Sequence, residues 1–110
     1  MIYVSPTPQR LVGQIIVVCT YAIEGKDRFP DDMTFDEGFE SISKSIEHLR
    51  SRLTSDRSDK LISMSAQAKV HFEVGEVKLG ASLMQDMEQV AKGEPPFAYP
   101  KDRYIWGISS

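Results

Sequence analysis

From Phe35 to Leu53 the large apolar residues Phe35, Phe39, Ile42, Ile46, Leu49 and Leu53 recur at spacings of 4, 3, 4, 3 and 4. That rhythm places six apolar side chains on one stripe of a helix. Glu37, Glu40, Lys44, Glu47, Arg50 and Arg52 fall between them and are expected to face water. The stripe predicts a helix over 34–53 that packs against other helices. Thr34 with Glu37 has the form of a capping box at its start.

Three further helices follow from the same reading. Thr7-Pro8 pairs an N-cap residue with proline at the first helical position and opens a helix over 7–24. Leu11, Val12, Ile15, Ile16, Val18, Cys19, Ala22 and Ile23 cover most of its circumference, so a central, nearly surrounded position is expected. Its β-branched residues weaken helix propensity and leave a strand over 14–21 as an alternative. Gly25 is the expected C′ residue. Lys26 to Met33 reads as a polar connection containing Phe29-Pro30, and Thr54 to Arg57 as a turn. Ser58 is the expected cap of a helix over 58–74, with Asp59 in its first turn. A last helix over 76–92 carries Leu83, Met84, Met87, Val90 and Ala91 and stops at Gly93.

One stretch fits two periods. Leu61, Met64, Ala68 and Phe72 have helical spacing, whereas Val70, Phe72 and Val74, then Gly75-Glu76, then Val77 and Leu79 alternate like a hairpin. The predicted fold class is therefore all-α, a compact bundle of about four helices with an extended Pro- and aromatic-rich tail over 93–110. The alternative is α+β with a hairpin at 69–80, which needs a third strand from Ile2–Val4 or Tyr104–Ile108.

Composition narrows the class. The chain of 110 residues suits one domain, and 41% apolar with 26% charged residues suits a globular one. The longest apolar run, Ile15 to Cys19, falls far short of the roughly 20 residues that span a bilayer, so no membrane partner is expected. The N-terminus has no charged leader followed by an apolar stretch. The single cysteine permits no internal disulfide; with the missing leader this points to the cytoplasm. A net charge of −3 argues against nucleic acid as a partner. The charge is uneven: between Glu24 and Glu40 seven acids stand against two bases. Such a cluster is either a solvated loop or an electrostatic handle for a basic partner.

No catalytic set stands out. Cys19 sits in an apolar run rather than an electropositive site. His48 falls on the polar side of its helix, and His71 lacks companions for a metal site. No zincin, nucleophile-elbow, P-loop or dinucleotide motif is present. Asp31-Asp32 and Asp36-Glu37 could in principle act as paired carboxylates, but acids beside a helix start are common for dipole reasons alone. Met64, Met84 and Met87 are expected to fill core gaps. No enzyme activity, cofactor or metal is expected; a small α+β enzyme would need the hairpin and a pocket near His71.

Two blocks carry a resemblance. Ser43-Lys44-Ser45-Ile46-Glu47-His48-Leu49-Arg50-Ser51-Arg52-Leu53 with Asp56-Arg57-Ser58-Asp59-Lys60, and Ala68 to Phe72 with Leu79, Leu83 and Met87, resemble the small helical immunity proteins of type VI secretion. That family protects a bacterium from an NAD(P)-degrading effector or a related nucleotide-pyrophosphate-synthesising one. The resemblance covers about residues 5–90. The chain departs from it at Gly75 and Gly80, where the family has helix, and in its added tail. It implies an all-α bundle without activity of its own that binds a cognate toxin domain and covers the toxin's active site. The expected toxin contacts are Asp31, Asp32, Asp36, Glu37 and Glu40, then Glu73, Glu76 and Trp106. A non-enzymatic adaptor or regulatory module shares every compositional feature and is the alternative function.

Overall fold

The computed structural model describes residues 1–94; Trp106 and the rest of the expected tail from Pro95 onward lie outside the described residues. The described chain is all-helical: α1 (Pro8–Glu24), a 3-10 turn (Lys26–Arg28), α2 (Phe35–His48), α3 (Arg50–Leu53), α4 (Ser55–Glu73) and α5 (Val77–Ala91). No strand occurs among the described residues, so the strand at 14–21 and the hairpin at 69–80 are both overturned.

Local signals explain most boundaries. Thr7 Oγ1 accepts from the Arg10 amide at 3.1 Å, with Pro8 opening α1. Gly25, at φ 137°, ends it and donates its amide to the Tyr21 carbonyl. Gly75, at φ 84°, breaks the chain between α4 and α5 in a conformation that favours glycine. Between Val70 and Val74 the helical period wins because Ala68 and Phe72 reach the core while Val70 and Val74 stay exposed.

Two boundaries differ from expectation. The helix over 34–53 is interrupted at Leu49, whose amide is shared between the Ser45 and Ile46 carbonyls. Leu53 nevertheless stays fully buried, because α3 continues the stripe in a new direction. The helix expected from Ser58 begins three residues earlier. Thr54, at φ 75°, makes the reversal and caps α4 through its Oγ1. Ser58 is instead buried, its hydroxyl donating back to the Thr54 carbonyl at 2.7 Å.

The stripe is the core. Ile42, Ile46 and Leu53 are fully buried with Leu11, Ile15 and Val18 of α1, Leu61 of α4 and Met84 and Met87 of α5. α1 packs on α2 and α5 but is not surrounded: Val17 is 47% exposed. Residues 1–5 run along α2 as an extended strap. The Tyr3 and Ser5 amides donate to Ser41 Oγ and Ser45 Oγ at 3.0 and 2.8 Å, and Gln14 Nε2 donates to the Tyr3 carbonyl. The two serines, spaced like the apolar residues, are sockets for this strap.

α4 and α5 meet closely at Gly80, which is helical and lies against the Phe72 ring. A Cβ there would stand 2.9 Å from two ring carbons. Gly80→Ala is therefore expected to lower stability by about 1–3 kcal/mol through overpacking, despite alanine's better helix propensity. A urea midpoint equal to or above that of the wild type would show that the helices can move apart.

Candidate protein-interaction face

The acidic loop, the start of α2 and the end of α4 come together at one end of the bundle. Asp36, in the first turn of α2, pairs with Lys69 near the end of α4 at 3.2 Å. One turn further on, the Phe39 and Phe72 rings lie 6.2 Å apart. Beneath the acids runs a chain of rings: Tyr21, Phe29, Phe35 and Phe39, with successive centroids 5.4, 5.7 and 5.1 Å apart. The chain ties α1, the loop and α2 together, and aromatic pairs at these distances add stability beyond their burial. Phe29 thus anchors what the sequence shows as a polar connection. Gly38 gives it room, since a Cβ there would sit 3.1 Å from the Phe29 ring.

The expected contact residues divide into two groups. Asp31 and Asp32 are exposed on the loop, and Glu73 is exposed at the end of α4. Asp36, Glu37, Glu40 and Glu76 have partners within the chain. Glu37 completes the capping box: the Thr34 amide donates to its Oε1 at 3.0 Å, and its own amide donates to Thr34 Oγ1. Its Oε2 also lies 3.0 Å from the N-terminal ammonium of Met1. The Thr34 amide first, and that ammonium second, hold the Glu37 carboxyl below its usual range. Asp36 has Lys69, Glu40 has Lys44 at 3.9 Å, and Glu76 meets His71 Nδ1 at 2.9 Å. Acids near the start of α2 also complement its dipole. Lys26 lies over the Phe35 ring at 4.9 Å.

The opposite end is held by arginines. Arg50 pairs with Glu47 and Asp59, which push its guanidinium further up from its ordinary value. Arg57 donates to the Val90 and Ala91 carbonyls and thereby clamps the end of α5 to α4. Arg52 holds the strap through the Pro6 carbonyl.

Groups that could do chemistry are dispersed. No cluster of three or more His, Cys, Asp or Glu suited to a metal ion occurs among the described residues. Cys19 is buried, and burial pushes its thiol up to about 12. No described helix is long and apolar enough to cross a membrane. No family model, curated protein or solved structure matches the chain. What the arrangement offers is a surface: a ring-braced platform that presents carboxylates at one end.

Proposed function

We propose that this chain is an immunity protein, itself without catalytic activity, that binds a toxin domain in the bacterial cytoplasm and blocks its active site. The observation that most supports this is the set of exposed carboxylates, Asp31, Asp32 and Glu73, at one end of a platform braced by rings. A rigid acidic surface speeds encounter with a basic partner and adds selectivity. The resemblance of the 43–53 and 68–87 blocks to type VI immunity proteins names the class of partner. Asp36 and Glu40 can add to the contact by exchanging their lysines for bases of the toxin.

Co-expression with a type VI effector of the NAD(P)-degrading class encoded beside it tests this reading, scored by growth. Cell death in the presence of normally folded protein would sink it. The contact face has its own test. Glu37 is a poor probe because it caps α2, so its reversal would mix lost stability with lost binding. The pair Asp31→Lys and Asp32→Lys is expected to weaken toxin binding about tenfold or more, with a thermal midpoint close to wild type. Unchanged affinity would place the interface elsewhere.

A further inference from the structure

α1 carries an exposed stripe with complementary ends. Arg10, Gly13, Val17, Thr20 and Glu24 are all exposed, and their spacing of 3, 4, 3 and 4 sets them on one line about 21 Å long. Arg10 and Glu24 take part in none of the ion pairs of the described chain. Val17, at the midpoint, is 47% exposed and stands between the two charged ends.

Beside the stripe lies a groove of about 450 Å³ with apolar walls from Tyr3, Val17, Val18 and Met33 and Gly13 on its lining. Glycine weakens a helix interior. Here a Cβ would meet nothing within 4 Å, so no contact within the chain requires it. Its effect is to leave the helix surface open to close approach.

We propose that this stripe is the contact face of a symmetric dimer of this chain, in which two copies of α1 cross antiparallel about a twofold axis at Val17. With the axis there, Arg10 faces the partner's Glu24 and Glu24 faces the partner's Arg10. Val17 meets the partner's Val17, and Gly13 lies opposite the partner's Thr20. A twofold axis makes each contact twice, as an isologous interface requires. Parallel pairing would set arginine on arginine and glutamate on glutamate, which selects the antiparallel arrangement. The dimer does not depend on the toxin reading.

Sedimentation equilibrium of the full chain, from micromolar to millimolar concentration at low salt and at about 0.5 M salt, tests this. A dimer that weakens with salt is expected. Arg10→Glu and Glu24→Arg should each raise its dissociation constant about tenfold or more, because each reversal turns two attractions into two repulsions. The double variant R10E/E24R should return to near the wild-type value. Both sites are exposed, and circular dichroism melting checks that each variant is folded. If one single variant does not fold, the other single variant and the wild-type concentration series decide. A wild type that stays monomeric throughout overturns the proposal, and so do single reversals without effect or a double variant that fails to recover.

Discussion

Replacing Ile46 with aspartate is expected to cost the fold about 3 kcal/mol or more and to leave little native protein at physiological temperature. Ile46 is fully buried, between Ile42 and Leu49 on the same stripe, which are 0% and 1% exposed. A carboxylate there either stays charged without a counterion or takes up a proton and still lacks hydrogen-bond partners; both are expensive. Domains of this size are stable by only about 5–15 kcal/mol, so the loss is a large part of the whole. Ile46→Val, which removes one methyl and adds no polar atom, should cost only about 1 kcal/mol. Urea unfolding of the two variants separates a generic sensitivity of the site from the burial of charge. A thermal midpoint like wild type for the aspartate variant would mean that the stripe faces water.

The stripe was legible because apolar spacing reports directly which face of a helix is buried. The break at Leu49 was not, because it goes with polar contacts and a backbone reversal over the following turns, which apolar spacing does not report. Arg50 reaches Ser55 and Asp59, and Thr54 takes a positive φ to turn the chain. The 70–79 stretch was undecidable by periodicity, since its apolar residues satisfy both periods until Phe72 finds Phe39. Ser41 and Ser45 carry no sequence signal that a strap docks on them. The candidate face shows the same division. Composition found its acids, but not that Asp36, Glu37, Glu40 and Glu76 already have partners in the chain. The circumference of α1 suggested enclosure. Only the packing of its neighbours shows which line of residues is left over.

The least legible residue is Glu88, a charged residue within the last helix that the fold buries to 8% exposure. Its Oε2 has no hydrogen-bond partner among the described residues, and Ser82 Oγ on the same helix is also buried without one. Burial pushes the Glu88 carboxyl up to about 7 from its ordinary 4.5, with Lys92 only partly opposing the rise. The folded state therefore holds this proton more tightly than the unfolded chain does. Below about pH 4.5 both states are protonated and the site is neutral to stability. As pH rises from there to about 7 the unfolded state gives up its proton first, and the fold loses on the order of 3 kcal/mol. The loss is complete above pH 7. Glu37 and Glu47, whose carboxyls are held low, act with the opposite sign and in a different window: their support fades only as pH falls below about 4.5. Glu88→Gln keeps the shape of the protonated acid and removes its titration. It should match wild type near pH 4.5 and exceed it at pH 8 by about 3 kcal/mol, or about 10 °C or more in Tm. The deciding measurement is the difference between the two unfolding curves across pH 4.5 to 8. A constant difference would show that Glu88 binds its proton no more tightly in the fold than in the unfolded chain.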